Sequence, residues 1–555
     1  MNMNDNRITL FYNCKIITMD QENRIEDAMA IFKDKILSIG SKKNAEREIK
    51  NFISKNTDKK ELELEKVDLN GSCIVPGFID THMHPGLYIY FKTQLNLSEV
   101  RSHSDLKRII KNAIVKRPKT EWIIGFDLME DIFSDNSERH FPTKSEIDDC
   151  CSDRPVVIIR HDGHIVSVNS VVLEKIGITK ENVKEKTPNF GEIRTDQNGV
   201  PNGIFTEEAT SLVMNELPIP DFDSFKTAAA EMSTELASYG ITTCGGIIQL
   251  GEIGPAGSTG AMEWVLLQVL LKEDIIEQDF VFYYITDKPK KLKRIKKFVS
   301  KLTDNNRFEV GGLKLFGDGS FGAHTAYLYE PYNDCNDGAS GFMVNDRKVI
   351  KNLTREALDL GFQVIIHAIG DKGNRIIVDV FKEILSNKKY DQKKCRLRIE
   401  HASMLTQEVL VDSSNLGIIM ACQPNFINSE YNWLEGRIGS RIEYTYPFRS
   451  IIDANIILAA ASDAPVESAN VFFGLQACVL RKGMVPQESI TIQEAISIYT
   501  INAAYALGQE KIKGSLEKGK LADFVVLDKD IETIIPNEIE NIEIKNTYHR
   551  GKIIY

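Results

Sequence analysis

Two histidines, His82 and His84, end an apolar run of the chain and are separated by one residue. Side chains on a strand alternate between its two faces, so these histidines are expected to project to the same side. Two neutral imidazoles that converge in this way suit zinc or another borderline divalent ion, which can activate water near neutral pH. Such a pair also occurs at strand ends by chance, so the assignment depends on the rest of the chain.

Other polar residues stand within or after later apolar runs. Lys314 lies inside one run, His367 and His401 end two others, and Asp463 follows a fourth. If these runs are parallel strands of one barrel, their carboxyl ends share the rim on which barrel active sites are built. A single histidine at a strand end is more often structural, but nitrogen and oxygen donors collected on one rim predict a metal site. The predicted ligands are His82, His84, Lys314, His367, His401 and Asp463.

Lys314 does not suit a cation site as an ammonium group. Nearby dications would lower its pKa and leave a neutral amine, which can take up carbon dioxide and present a carbamate that bridges two metal ions. The alternative interpretation is an ordinary lysine paired with Asp318 at the rim.

The elements that must position these residues are eight short apolar runs, separated by patterns of helical periodicity. Runs of this kind are typical of an α/β fold, a (β/α)8 TIM barrel, whose strands are buried on both faces. The expected strands are 73–80, 240–248, 280–285, 310–316, 362–369, 396–401, 417–422 and 456–461.

Three parts are expected along the chain. Residues 1–72 and 512–555 contain short strands and turns, and we expect them to form one small composite β-sandwich. The barrel is expected over 73–511. More than 150 residues separate His84 from the second apolar run, which is far longer than a usual connection. This length predicts an inserted subdomain at about 90–205, lying over the barrel mouth.

Composition excludes several classes of protein. The chain has 555 residues, 42% of them hydrophobic, and a formal charge of -11 with both signs interspersed, so neither a nucleic-acid surface nor an anionic-membrane surface is indicated. The nine cysteines form no C-x-x-C pair, and no apolar stretch is long enough to span a bilayer. The cysteine usage fits a reducing compartment, so we expect a cytoplasmic protein. Its expected partner is a small-molecule substrate, and barrels of this type often associate as homo-oligomers.

In several sequence motifs the chain resembles the amidohydrolase superfamily, and within it the amidohydrolase-3 group that includes N-substituted formamide deformylases. The matching segments are VPGFIDTHMH at 75–84, KLFGDGS at 314–320, HAIGD at 367–371, RIEH at 398–401, SDAPV at 462–466, GHIVSVNS at 163–170 and GSLEKGKLAD at 514–523. Together they extend over nearly the whole chain.

The resemblance implies both an activity and a role for each ligand. The activity is metal-dependent hydrolysis of a carbon–nitrogen bond other than a peptide bond, in an amide, N-acyl or N-formyl compound. By similarity, His82 and His84 hold one divalent ion, carboxylated Lys314 bridges, His367 and His401 hold a second ion, and Asp463 binds metal and is the catalytic residue. Zinc is the expected metal. Asp463 would take a proton from the attacking water and then give it to the leaving nitrogen.

Candidate substrate-binding residues lie where the chain departs from the family pattern or matches its insertion motif. His324 occupies a position at which relatives usually carry arginine, and Ala464 one at which many carry tryptophan. His164 and Asn169 lie in the motif within the insertion and could reach a substrate, although a structural turn explains them equally well. The tentative substrate-binding set is His164, Asn169 and His324.

Two other functions remain open. A metal-dependent deaminase of the same superfamily usually has a glutamate three residues after the histidine of the fifth strand, and here that position is Gly370. A non-catalytic binding protein could keep the same barrel after losing its metals, but the complete ligand set argues against this alternative.

Overall fold

The computed structural model describes residues 6–55, 62–116, 118, 121–161, 163–188, 191–251, 259–301, 307–335 and 338–555. Within these ranges, eight parallel strands pair side by side in chain order. Numbered barrel strands 1 to 8, they are Phe78–Met83, Ile241–Gln249, Asp279–Ile285, Phe308–Phe316, Gln363–Ala368, Arg398–His401, Ile419–Cys422 and Leu458–Ala460.

Hydrogen bonds join the last barrel strand to the first. The Asp463 backbone N–H donates to the His82 carbonyl at 2.8 Å, and the Thr81 hydroxyl donates to the Ala460 carbonyl at 2.9 Å. The sheet therefore returns to its starting strand, and the predicted (β/α)8 TIM barrel is confirmed. Every residue of barrel strands 1, 2, 3 and 6 is buried, which is why these strands show as continuous apolar runs rather than as alternating ones.

The first expected strand, 73–80, is wrong as a single element. Cys73–Pro76 pairs antiparallel with Phe524–Leu527 in another sheet, whereas the barrel strand begins at Phe78. Gly77 makes the transition between the two sheets, since a Cβ there would lie 2.6 Å from the side chain of Thr242. An apolar run has the same composition on both sides of such a junction, so the sequence pattern does not reveal it.

Amphipathic helices connect the barrel strands. In helix Asp371–Leu385, for example, the buried residues Ile377, Val380, Phe381 and Ile384 follow helical spacing. No helix in the described ranges is both long and apolar enough to cross a bilayer. The helices in and around the barrel are Pro85–Lys92, Phe222–Ser238, Thr259–Lys272, Lys291–Val299, Arg347–Asp359, Asp371–Leu385, Gln392–Cys395, Gln407–Leu416, Phe426–Glu430, Leu434–Ile438, Phe448–Asp453, Val471–Leu480, Ile492–Ile498 and Ile501–Ala506.

An inserted subdomain lies between barrel strands 1 and 2. Its sheet has, among the described residues, the strand order Gly191–Thr195, Pro201–Glu207, Ile165–Val168, Val156–Arg160, Ile123–Leu128 and Leu95–Asn96. Its helices are His103–Lys116, Lys144–Asp148, Ser170–Ile176, Val183–Lys186 and Ser211–Met214. Separate apolar clusters cover the two faces of the sheet: one includes Phe91 and Phe126, and the other includes Leu106, Phe133 and Ile147.

Strands from both ends of the chain form a third sheet, the terminal sheet. Its strands are Lys552–Ile553, Ile544–His549, Phe524–Leu527, Cys73–Pro76, Arg7–Ile17, Ile25–Phe32 and Lys35–Gly40 in that order, with Glu63–Asp68 also paired to Arg7–Ile17. Helix Lys42–Lys55 packs on it through Ala45 and Ile49. The Phe11 ring contacts the rings of Phe524 and Tyr548 at 5.2 and 5.3 Å between centroids. Strand Arg7–Ile17 pairs with neither Phe524–Leu527 nor Ile544–His549. The sheet therefore curves so that these three strands share one apolar core.

A buried ionic cluster fastens the C-terminal segment to the barrel. Asp279, at the start of barrel strand 3, accepts hydrogen bonds from Lys513 Nζ at 2.6 Å and Arg550 Nη2 at 2.9 Å, and its Oδ1 lies 3.1 Å from His549 Nε2. Burial alone would raise the pKa of Asp279, but Lys513, His549 and Arg550 hold that pKa well below its usual range. The carboxylate thus stabilises the fold only while it is ionised.

We expect Asp279→Asn to lower the free energy of unfolding by about 3–5 kcal/mol, because it leaves buried cations without their partner. The measurement is urea unfolding followed by circular dichroism. Glu65→Gln is the control, since Glu65 pairs with Arg7 at an exposed site and should change stability little. Because the folded-state pKa is depressed, the difference between wild type and Asp279→Asn should be full above about pH 4 and shrink below it. Equal stabilities at pH 7 would contradict this account.

Candidate metal centre

The six predicted ligands lie around one cavity at the carboxyl ends of the barrel strands. His82 is in barrel strand 1 and His84 directly follows it, Lys314 is in strand 4, and His367 and His401 are in strands 5 and 6. Asp463 follows strand 8. All six line a cavity of about 470 Å³ that also receives side chains from the inserted subdomain.

His82, His84 and Asp463 converge most closely. Asp463 Oδ1 lies 3.2 Å from His82 Nε2 and 3.1 Å from His84 Nε2, and one ligand atom from each residue lies within 4.8 Å of the other two. His82 Nε2 and Asp463 Oδ1 are both buried, and neither has a hydrogen-bond partner of suitable geometry among the described residues. Unsatisfied buried polar atoms are rare in proteins. Two nitrogens and one oxygen gathered this closely fit a divalent cation.

The second histidine pair lies next to the first. The His367 and His401 ring centroids are 4.3 Å apart, and the His401 and His82 centroids are 5.4 Å apart. His401 Nδ1 is buried and lacks a hydrogen-bond partner in the described part of the chain, whereas His367 Nε2 lies 3.0 Å from the Gly319 carbonyl oxygen. Two further imidazoles therefore lie beside the first three candidate ligands, and one nitrogen of His401 is without a partner among the described residues.

Burial sets the charge of these groups. It lowers the pKa of His82 to about 4, and it lowers the pKa values of His367 and His401 well below their usual range. Burial would raise the pKa of Asp463, but His82, His84 and His401 lower it below that of an ordinary aspartate. The centre thus presents neutral imidazoles and an ionised carboxylate, which are the protonation states that metal ligands require.

Lys314 is a buried lysine, and no carboxylate among the described residues pairs with it. Its side chain is 1% exposed, and the interaction found for it in the described ranges is a 5.2 Å contact of Nζ with the Phe316 ring centroid. Burial lowers its pKa to about 8, although Glu400 and Asp463 act in the opposite direction. The alternative pairing with Asp318 is wrong, since Asp318 accepts backbone N–H groups of Tyr327, Ile369 and Gly370 at 2.8–2.9 Å.

Backbone strain is present at two of these positions. His401 has φ of 70° and Asp463 has φ of 62°, in the left-handed region that non-glycine residues seldom adopt. Asp80 helps to hold the second: its carboxylate accepts the backbone N–H groups of His82 and Ser462, both at 3.1 Å. Strain of this kind persists only where neighbouring contacts fix the backbone, as they commonly do at functional sites.

Glu400 contacts a candidate ligand, and the sequence pattern did not lead us to include it in the site. Its carboxylate contacts His82 Nδ1 through one oxygen and Arg398 Nε through the other, and all three side chains are buried. Although burial raises the pKa of Glu400, Arg398 and His82 lower it to about 2. A carboxylate at Nδ1 fixes the tautomer that leaves the Nε2 lone pair free to bind metal. The signal was available, because Arg398 and Glu400 occupy alternate positions of one buried strand.

The structure separates the three predicted substrate-binding residues. His164 lines the cavity, and its Nδ1 lies 2.8 Å from Glu207 Oε2. Asn169 does not line it; the amide is buried in the inserted subdomain, where it donates to the Cys151 and Arg154 carbonyls and caps helix Ser170–Ile176. The prediction for Asn169 is therefore replaced by a structural role.

His324 also lies outside the cavity lining. Its Nε2 is 3.0 Å from both Asp334 oxygens, and its ring packs against Tyr332 with centroids 5.0 Å apart. Asp334 also pairs with Arg437, which donates to the carbonyls of Phe321 and Gly322 in the cavity wall. His324 thus acts on the wall through other residues, and its predicted direct contact with substrate is not supported by the geometry.

Comparison with known proteins places this chain in a family. Residues 65–555 match the model of the amidohydrolase family Amidohydro_3. The putative amidohydrolase YtcJ of Bacillus subtilis is 29% identical over 516 residues, which are 89% of this chain and 91% of that protein. The N-substituted formamide deformylase of Arthrobacter pascens is 24% identical over 580 residues, 100% of this chain and 99% of that protein.

A solved structure has a similar overall fold. The crystal structure of an uncharacterized metal-dependent hydrolase from Pyrococcus horikoshii superimposes with a TM-score of 0.72 and 25% sequence identity, covering 96% of this chain and 99% of that one. The resemblance inferred from the sequence motifs is thus confirmed, and the chain belongs to the amidohydrolase family.

Proposed function

We propose that this metal-dependent hydrolase cleaves the carbon–nitrogen bond of a small N-acyl or N-formyl compound. The observation that carries the proposal is that His82 Nε2 and His84 Nε2 lie 3.2 and 3.1 Å from Asp463 Oδ1. All three residues line the cavity at the carboxyl ends of the barrel strands. Two of these atoms are buried without a hydrogen-bond partner among the described residues. A bound metal ion would satisfy both atoms.

The donor set suits two divalent ions, zinc by preference. His82, His84 and Asp463 would hold one, His367 and His401 would hold the other, and Lys314 as a carbamate would lie between them. Neutral imidazole nitrogens with carboxylate oxygens favour zinc and its neighbours over magnesium or calcium. When bound, such ions polarise a carbonyl group and make a water molecule nucleophilic near neutral pH.

Asp463 would manage the protons of the reaction. It is an ionised carboxylate in the cavity wall, and it can accept the proton of an attacking water and then return it to the departing nitrogen. Protonation of that nitrogen matters because an amine anion is a poor leaving group. The burial of Asp463, which is 6% exposed, favours keeping the proton inside the site between the two steps.

Glu400 would act as a positioning residue rather than as a catalytic one. It contacts His82 Nδ1 and not the cavity, so it would orient the imidazole and keep Nε2 directed at Asp463. The buried Arg398 balances the charge of Glu400 and in turn donates to the Thr81 carbonyl at 3.2 Å. The first metal ligand is thereby fixed in a rigid network rather than in a mobile loop.

The cavity wall favours a substrate with an apolar substituent. Phe91 and Phe126 stack with ring centroids 3.9 Å apart, and other apolar wall residues include Phe316, Phe426 and Trp433. Arg160 also lines the cavity, but its guanidinium already pairs with Glu130 at 2.9 Å and with Asp131. An uncharged aliphatic or aromatic group therefore suits this space better than a carboxylate.

The deaminase alternative is less well supported. Gly370 occupies the position of the deaminase glutamate, and a Cβ on it would lie 2.2 Å from the Tyr327 carbonyl oxygen. Because this neighbour is a backbone atom, a larger side chain at position 370 would require a backbone shift. The Gly370 N–H also donates to Asp318 at 2.8 Å, and such a shift would disturb this hydrogen bond.

The proposed activity is tested with a panel of N-formyl, N-acetyl and longer N-acyl derivatives of aliphatic and aromatic amines. We expect metal-loaded wild type to release amine, fastest from substrates with an apolar substituent. His367→Ala should lower kcat/KM by more than about 100-fold, beyond the usual effect of an outer-shell change. Lys389→Ala, at an exposed pair with Asp359, is the control. Release of amine at equal rates by wild type and His367→Ala would rule out the proposed site.

For Glu400→Gln we expect metal affinity or kcat to fall by about 10–100-fold with little change in KM, because the carboxylate that fixes the His82 tautomer is lost. Glu400→Asp keeps the negative charge and should lose less. Metal affinity is measured by competition with a chelator, and thermal unfolding of the metal-free variants separates this effect from misfolding. If Glu400→Gln binds metal as tightly as wild type, Glu400 does not position His82.

Lys314→Ala should bind less than half the metal of wild type and lose activity, because the bridging carbamate is absent. Acetate or formate should restore part of both, since a small carboxylate can fill the vacated space. Carbon-13 NMR of protein loaded with ¹³C-bicarbonate and zinc should show one carbamate signal in wild type and none in Lys314→Ala. A wild-type protein with full metal and no such signal would show that Lys314 is not carboxylated.

A further inference from the structure

A second cluster of metal-ligating side chains lies in the inserted subdomain, apart from the barrel. His103 begins helix His103–Lys116, His140 lies before the next helix, and Glu146 is in helix Lys144–Asp148. One ligand atom from each of these three residues lies within 4.8 Å of the other two. None of them lines the cavity of the candidate metal centre.

The hydrogen bonds of His103 leave one ring nitrogen prepared for a ligand. Its Nε2 lies 3.1 Å from the Glu138 carbonyl oxygen, to which it donates, so Nδ1 carries the lone pair. Nδ1 is buried and has no hydrogen-bond partner within the described ranges. The ring is held from the side by Phe133, with centroids 5.5 Å apart. A histidine that donates one N–H to a backbone carbonyl and presents the other nitrogen unpaired has the usual arrangement of a metal ligand.

His140 and Glu146 complete the cluster. The His140 ring centroid lies 4.5 Å from that of His103, and its Nε2 is 2.9 Å from Glu146 Oε1. A nitrogen and an oxygen that share one tetrahedral zinc ion are about 3.3 Å apart, so only a small movement separates this pair from coordination.

Glu146 is also fixed in place by its other oxygen. Oε2 accepts both the backbone N–H and the hydroxyl of Thr143 at 2.7 Å, in the capping box of helix Lys144–Asp148. Burial raises the pKa of Glu146, but the hydrogen bonds from Thr143 and His140 lower it overall, so the carboxylate is ionised near neutral pH. One oxygen thus serves the helix while the other faces the histidines.

From this geometry we infer a second divalent-metal site, of zinc type, formed by His103, His140 and Glu146. Two imidazoles and one carboxylate suit zinc, copper or nickel better than magnesium or calcium, and water would complete the coordination. The ion would join the start of helix His103–Lys116 to the segment that carries His140 and Glu146. This helix and this segment pack on one face of the inserted sheet, and Phe126 lies on the other face and lines the cavity. The ion would therefore stabilise the sheet that carries part of the cavity wall.

Two other clusters of metal-ligating residues differ from the site of His103, His140 and Glu146. In both, lysine or arginine side chains already balance the charge of the carboxylates. In the group of His324, Asp334 and Cys335, Asp334 pairs with Arg437 at 3.2 Å. In the group of Asp279, Asp523 and His549, Lys513 and Arg550 contact the carboxylates at 2.6–3.2 Å. An added dication would meet these positive charges. No lysine or arginine is found paired with Glu146 in the described part of the chain.

The site is tested by zinc content. Wild-type protein, His140→Ala and Glu146→Gln are each incubated with excess zinc chloride, freed of unbound metal by gel filtration, and analysed by mass spectrometry for zinc per chain. We expect wild type to retain one equivalent more than either variant. Glu146→Gln is the sharper variant, because a glutamine oxygen can still form the capping box while binding zinc weakly. The zinc-dependent rise in melting temperature should be smaller in both variants than in wild type.

The same comparison in a His367→Ala background separates this site from the barrel. If zinc leaves the barrel in that background, the equivalent that depends on His140 should remain, so the two proposals can fail independently. Matching melting temperatures of wild type and Glu146→Gln without zinc would show that the fold is intact. Equal zinc content in wild type, His140→Ala and Glu146→Gln would overturn the inferred site.

Discussion

The contact of His82 with Glu400 is the interaction on which the candidate centre depends. A histidine that is 0% exposed has no water to orient it, so its tautomer is decided by whatever group faces Nδ1. Glu400 faces it, and the fully buried Arg398 neutralises Glu400 in turn. Removal of either charged residue would leave the other buried without its counter-charge, which destabilises the fold more than the intact pair stabilises it. The network therefore locks the imidazole in the state that a metal needs.

Buried carboxylates also fix the backbone elsewhere in the barrel. Asp318 and Asp80 are buried carboxylates that accept backbone N–H groups of the loops following barrel strands 4, 5 and 8. Burial raises the pKa of Asp318 to about 7 and that of Asp80 to about 6. Asp318 thereby links the loops that follow strands 4 and 5, and Asp80 links strand 1 to the loop that follows strand 8. The positive φ angles at His401 and Asp463 are maintained in this setting, where the surrounding contacts fix the backbone.

The inserted subdomain and the terminal sheet have different relations to the centre. The terminal sheet is fastened to the barrel through Asp279 and contributes no residue to the cavity among those described. The inserted subdomain supplies Phe126, Arg160 and His164 to the cavity wall. Substrate selection is therefore expected to vary with the insertion, while the candidate ligands lie in or just after the barrel strands. A zinc ion at His103, His140 and Glu146 would stiffen the insertion without touching the chemistry.

The sequence by itself determined the barrel and the candidate ligands at its rim. The reason is that a strand buried on both faces leaves an uninterrupted apolar run, and a polar residue at its end stands out locally, as His82, His367 and Asp463 do. The strand boundaries were also close, except where Gly77 passes the chain from one sheet to the other.

Tertiary structure alone decided which polar residues meet. Asn169 and His324 lie in motifs near the expected site, but the first is occupied by backbone carbonyls and the second by Asp334. Glu400 gained its part only when barrel strands 1 and 6 came together, although 318 residues separate it from His82 along the chain. His103 and Glu146 likewise come from separate helices. Periodicity records which face of an element is buried, but contacts between distant elements depend on packing, which local patterns do not encode.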